Sequence, residues 1–164
     1  MAVVNRSSAQ NPADCSRVDV GTGDGYLKSA QGYVANAADD SATSVHRFVR
    51  VPTNAVVRSV KFSTGAATTA GAIDIGVYRT TNDGGAVVDA DLFASALDLT
   101  GGPFTNAEQI GESGELTLAE RAQPLWQAAG ASEDPGGYYD IAATITTTYN
   151  GASVGQLLVV DYVA

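Results

Sequence analysis

The chain has 164 residues, 16% of them charged and 45% hydrophobic, which excludes a disordered tail and fits one domain burying ~68–70% of its unfolded surface. A formal charge of −9 leaves no basic surplus for phosphates, so nucleic acid is excluded as a partner, and no run approaches the ~18 apolar residues of a membrane-spanning helix. One cysteine, Cys15, and one histidine, His46, exclude an internal disulfide and a Cys/His metal centre.

Residues 5–25 are small and polar with no period of 2 or 3.6, and residues 1–31 are expected to form an N-terminal arm preceding one domain over 32–164. The N-terminus lacks the apolar run of a signal peptide, so the expected site of synthesis is a cytoplasm. Ser44–Val51 reads as a strand with His46, Phe48 and Arg50 on one side and Val45, Arg47, Val49 and Val51 on the other. Pro52-Thr53-Asn54 turns the chain into a second strand, Val56–Phe62. Ala72–Arg79 alternates most clearly, with Ile73, Ile75 and Val77 facing in.

After the Asn82-Asp83-Gly84-Gly85 turn, Asp89–Leu97 places Leu92, Ala96 and Leu97 together in helical projection, with aspartates at the start, and predicts a short helix capped by Asp89. Residues 98–115 read as loop. A second helical piece from Leu118 is interrupted by Pro124 and ended by Gly130. Tyr138–Thr148 predicts a strand with Tyr139, Ile141, Ala143 and Ile145 on one face, and Gly155–Val163 a last strand whose Leu157 and Val159 join the core. The sum is an all-β fold: an antiparallel β-sandwich, jelly-roll-like, with one or two short helical turns and an extended arm.

Candidate chemistry is sparse. Gly21-Thr22-Gly23-Asp24-Gly25 lacks the Lys-Ser/Thr ending and flanking elements of a phosphate loop. Asp89-x-Asp91 with Asp83 lacks the sixth-position glycine and closing glutamate of a calcium loop. His46 has no nucleophile elbow to serve, and Cys15 has no neighbour to lower its pKa, so no catalytic, metal or cofactor residue is expected. Charge is uneven: residues 1–79 hold eight Lys/Arg against six Asp/Glu, whereas residues 80–164 hold Arg121 against twelve acids. Arg47, Arg50 and Arg58 on the early strands, with the aromatic loops at Trp126 and Tyr138, are therefore the candidate interface.

Two stretches, RTTNDGGAVVDADLFASALDL (Arg79–Leu99) and PLWQAAGASEDPGGYYDIAATIT (Pro124–Thr146), resemble segments of tailed-bacteriophage capsid decoration (cement) proteins and related head-associated virion proteins. The resemblance covers roughly residues 44–164 through phrases such as GGAVVDAD, PLWQ and DPGGYYDI. It implies a non-enzymatic, cofactor-free β-sandwich that binds the exterior of an assembled capsid and stabilises it, after synthesis in the host bacterial cytoplasm. The implied partners are the major capsid protein and further copies of the chain, most often as a homotrimer. The competing reading is a carbohydrate-binding sandwich module of a phage fibre or head fibre, with Tyr138, Tyr139, Tyr149 and Trp126 as its platform.

Overall fold

The computed structural model describes residues 26–35, 40–65, 70–150 and 155–164. The bulk of the expected arm, with Cys15 and the glycine-rich 21–25 segment, lies outside the described residues. The strands are β1 (Leu27–Ala35), β2 (Val45–Pro52), β3 (Val56–Thr64), β4 (Ala70–Arg79), β5 (Val87–Asp98), β6 (Ala107–Glu108), β7 (Tyr138–Asn150) and β8 (Gly155–Val163). Two four-stranded sheets face each other, one ordered β1-β8-β3-β6 and the other β2-β7-β4-β5. The protein is thus an antiparallel β-sandwich. Among the described residues β1 pairs with β8, β2 with β7, β3 with β6 and β4 with β5, so that β4–β5 is the one pairing there between consecutive strands.

The core between the sheets is built by the alternation of β-branched and aromatic residues. Ile73, Ile75 and Val77 of β4 and Tyr139, Ile141, Ala143 and Ile145 of β7 are buried as expected, facing Val60, Phe62, Leu158 and Val160 of the other sheet. A helix α1 (Leu125–Ala128) follows Pro124, adds Leu125 to this core and ends before Gly130, whose φ is +77°. Shorter 3-10 turns stand at Thr81–Asp83, Leu99–Gly101 and Glu120–Ala122.

Several expectations are corrected. β1 begins at Leu27, so residues 27–31 belong to a sheet rather than to the arm. In β8 the buried residues are Gln156, Leu158 and Val160, while Leu157 and Val159 are half-buried on the outer face. The apolar run Leu157–Val160 has no internal parity, and a polar residue, Gln156, occupies an inward position that composition would assign to solvent.

Residues 89–97 form no helix but lie in β5, and Asp89, instead of capping, accepts a hydrogen bond from the Asp91 backbone N–H at 3.3 Å. Ile75 pairs with Ala94 and Val77 with Asp89, so residues 90–93 of β5 all stand opposite Gly76. This irregularity buries Leu92, Phe93 and Ala94 in succession and erases the two-residue period, leaving a helix-like projection by coincidence. Within the expected loop of residues 98–115 lies β6, whose two residues are too few to carry a pattern.

Gly76 is what lets β5 fold over β4. A Cβ at this position would overlap the Asp89 and Ala90 carbonyl groups, which are backbone atoms and cannot swing aside. Gly76→Ala is therefore expected to cost about 1–3 kcal/mol, the range of overpacked substitutions, read as a lower urea midpoint at unchanged slope.

Candidate functional site

A bulge decides which side chains of β2 share a face. Arg47 pairs with Ala142 and Val49 with Ile141, leaving Phe48 as the extra residue. Before the bulge His46 points inward and Arg47 outward; after it Val49 and Val51 are buried and Arg50 is outward. The expected opposition of Arg47 to Arg50 is thereby reversed, and both reach one carboxylate. Asp140 stands directly opposite Arg50 on β7, and Tyr78 of β4 flanks it on the other side.

Arg50 Nε donates to Asp140 Oδ1 at 2.8 Å, and Arg47 donates to Asp140 Oδ2 at 3.0 Å. Arg47 also donates to the carbonyls of Arg79 at 2.9 Å and Gly85 at 2.7 Å, with its guanidinium 5.4 Å from the centroid of the Tyr78 ring. Tyr78 is buried, and its hydroxyl meets the Thr144 hydroxyl. Asp140 has 6% of its side chain exposed, Arg47 24% and Arg50 46%. Arg47 is thus spent on holding β2 to the β4–β5 turn, whereas Arg50 keeps an open edge.

That edge faces a groove of about 420 Å³ whose lining includes Arg50, Arg79, Asn82, Asp83 and Tyr138. One wall is the Thr81–Asp83 turn, where Arg79 pairs with Asp83 at 2.9 Å and Asp83 N–H bonds the Thr80 carbonyl at 2.9 Å. The other is the turn before β7: Asp134 Oδ1 accepts from the Thr53 hydroxyl at 2.6 Å and from Gly136 N–H at 2.9 Å, and Thr53 N–H bonds the Gly137 carbonyl at 3.1 Å. Tyr138 stands on the rim, 56% exposed.

The five residues read from the sequence do not converge on one surface. Arg50 and Tyr138 line the same groove, and Arg47 lies beside it. Arg58 is the bulged, exposed residue of β3 in the opposite sheet. Trp126 is half-buried against the core. Arg79, Asn82 and Asp83 were missed as site residues, although the Asn-Asp-Gly-Gly turn marked the segment that carries them. The expected aromatic platform is also not assembled, because Tyr139 is buried beneath the groove and Trp126 is turned to the core. Burial pushes the Tyr139 hydroxyl pKa up. His46 bridges the sheets, with Nδ1 2.9 Å from Gln156 Oε1 and Nε2 3.2 Å from Asp40.

A second charged region lies along β5. Asp89, Asp91 and Glu115 each bring one carboxylate oxygen within 4.8 Å of the others; Asp83, once a candidate third member, is with Arg79 instead. Three oxygens are at most half of what calcium takes. Burial, then the Asp91 charge, raises the Asp89 pKa; burial and the Asp91 and Asp89 charges raise that of Glu115; burial and the Asp91 and Glu112 charges raise that of Asp74. Three others are lowered: Asp161 by Lys61 and Ser29, Asp98 by Thr100, and Glu120 by Thr117.

The sequence matches no protein-family model and no curated protein. The fold is similar to a chain of the cyanophage Pam1 capsid asymmetric unit, at 18% identity and a TM-score of 0.56 over 96% of this chain and 99% of that one. A chain in the acidic stable capsid structure of Helicobacter pylori bacteriophage KHP30 matches at 15% identity and a TM-score of 0.45, over 84% of this chain and 87% of that one.

Two outcomes follow from the site's electrostatics. Arg47→Ala, which loses two backbone carbonyls as well as Asp140, is expected to cost about 2–3 kcal/mol, or roughly 4–12 °C in Tm, and Arg50→Ala clearly less. In the pH dependence, a carboxyl with a raised folded pKa favours the protonated fold, so Asp74, Asp89 and Glu115 take stability away as pH climbs above the ordinary carboxylate range. The lowered groups Asp98, Glu120 and Asp161 add stability above that range and lose it as pH falls through their folded values. Tm should therefore rise as pH drops from about 7 to about 5 and fall below about 4. Asp91→Asn should raise Tm at neutral pH and flatten the rise; thermal melts across this range check it.

Proposed function

We propose that this chain is a non-enzymatic bacteriophage virion protein that binds the outer surface of an assembled capsid and stabilises it, as a decoration or cement protein. The observation that carries the reading is the end-to-end likeness to a chain of the Pam1 capsid, which covers nearly all of both chains. The match spans 99% of that chain, so the two are of similar length, which fits a small separate component of a capsid. The resemblance of Arg79–Leu99 and Pro124–Thr146 to decoration proteins supports it from the sequence side.

The strand order supports a jelly roll, because nested pairing of first with last, second with seventh, third with sixth and fourth with fifth is a long hairpin rolled into two Greek keys. The chemistry of the described residues fits a binding role. The histidine is committed to Asp40 and Gln156, and the most buried carboxylate, that of Asp140, is committed to two arginines. On this reading the partners are the major capsid protein and further copies of the chain as a trimer, and the location is the capsid exterior. Arg50 and Arg58, both open to solvent, supply rim charge that orients the approach.

Purified protein mixed with expanded empty capsids of its own phage should occupy symmetry-related positions to saturation and raise the temperature at which the shell disrupts. Absence of bound protein, or binding with an unmoved disruption temperature, would count against the reading. Raising ionic strength to physiological should slow association, since screening acts over about 8–10 Å, and leave dissociation nearly unchanged. Arg58→Glu should act on the association rate in the same way.

A further inference from the structure

The groove between the Thr81–Asp83 turn and residues 135–138 is unassigned by the capsid reading, and its chemistry is specific. Its charges balance locally, Arg47, Arg50 and Arg79 against Asp83, Asp134 and Asp140: Arg79 is paired with Asp83 at 2.9 Å, Arg50 and Arg47 share Asp140 at 2.8 and 3.0 Å, and Asp134 stands in the opposite wall. An anion would find no net positive field there. A peptide strand would find no sheet edge either, because the start of β7 is flanked on both sides, Tyr138 by Pro52 and Tyr139 by Arg79. What the groove does offer is a set of donors and acceptors, the paired Arg79 and Asp83 and the Asn82 amide, beside an aromatic ring that is 56% exposed.

From this the geometry points to a binding site for a neutral sugar ring, a hexopyranose unit of a polysaccharide, seated against Tyr138 with its hydroxyls on Arg79, Asp83 and Asn82. Each sugar hydroxyl both donates and accepts, so two neighbouring hydroxyls satisfy an adjacent arginine and carboxylate without upsetting the balance of charge. The C–H face of the ring covers the positive-seeking face of the tyrosine. At about 420 Å³ the groove lies within the range of small-ligand sites.

Both walls are held before any ligand arrives, one by the Asp83 and Gly85 N–H bonds to the Thr80 carbonyl and the other by the Asp134 bonds to Thr53 and Gly136. Little ordering cost remains at binding. The site differs from the platform expected from the sequence, since Tyr138 is its one stacking residue and the polar partners come from the β4–β5 turn. Of the groove's lining residues, Arg50 also has a part in the proposed capsid attachment, whereas Tyr138, Arg79, Asn82 and Asp83, which would hold the sugar, have none.

The test is a titration of the full-length, isotope-labelled chain with methyl β-galactopyranoside, methyl α-glucopyranoside and methyl α-mannopyranoside, each followed by amide chemical shifts, with inorganic sulfate and 3′-sialyllactose as anionic arms. At least one neutral glycoside should shift the Asn82, Asp83, Gly136 and Gly137 amides saturably. Tyr138→Ala and Asp83→Asn, both at exposed positions, should each weaken that binding about tenfold with the remaining spectrum intact, and Arg58→Ala should leave it unchanged. Saturable shifts centred elsewhere, none with any neutral glycoside, tighter binding of either anion, or an equal loss in Arg58→Ala would overturn the assignment. Capsid binding measured in parallel keeps the two proposals separable, because the loss of one leaves the other standing.

Discussion

A carboxylate sits near the start of β7, on its outer face, with 6% of its side chain exposed, where an unpaired charge would be costly. Meeting Asp140 with two guanidiniums from one neighbouring strand is impossible in regular register, because Arg47 and Arg50 lie three apart and would face opposite ways. The β2 bulge at Phe48 removes that conflict. Much follows from it: Arg47 covers Tyr78 and pins the turn at Gly85, Arg50 is set on the lip of the groove, and His46 is turned inward to Gln156. A single inserted residue therefore links the polar network outside the sheet to the polar bridge inside it. Close backbone approach reinforces the arrangement, since a Cβ on Gly32 of β1 would overlap the Phe48 backbone.

The regular strands were legible from residues alone. Alternation over Ile73–Val77 and Tyr139–Ile145 identified both strands and the faces they bury, because one side of each carries nothing but apolar groups. Failure came wherever the pattern was interrupted by an extra residue or had none to interrupt. The bulges at Phe48 and Arg58 flip parity without any change in composition, and the crossing of β5 over Gly76 turns a strand into something that looks helical. Parity in β8 depended on burying Gln156, which no local rule foretells; the partner that justifies it, His46, is 110 residues away in sequence. The candidate site was half legible for the same reason. Arg50 and Tyr138 were singled out by residue type, but what joins them is the β2–β7 register, and what joins Arg79, Asn82 and Asp83 to them is the position of a turn in space.

Charge is organised around the same frame. Carboxylates along β5, an edge strand, repel one another, and this argues for a surface that resists edge-to-edge pairing. Among the described residues Arg47, Arg50 and Arg79, by contrast, are held by carboxylates of the molecule's own network. The acidity of residues 80–164 is thus a property of exposed edges and loops, and the groove beside β7 is a neutral island within it.

The nested order of strands also governs how the chain reaches this state. With β4–β5 as the one pairing of consecutive strands among the described residues, every other pairing closes a longer loop than the one inside it, and the last, β1 with β8, joins Leu27 to Val163. Loop-closure entropy is largest for that outermost pair, which places the topology among those folding in roughly milliseconds to seconds instead of microseconds. During synthesis β1 leaves the ribosome early and waits, unpaired, until residues near 163 have emerged. Its inward face bears Ala30, Gly32 and Val34, whereas its outer face carries Leu27 and Tyr33 beside Ser29 and Gln31, so a waiting β1 shows apolar groups with which a wrong neighbour could be recruited.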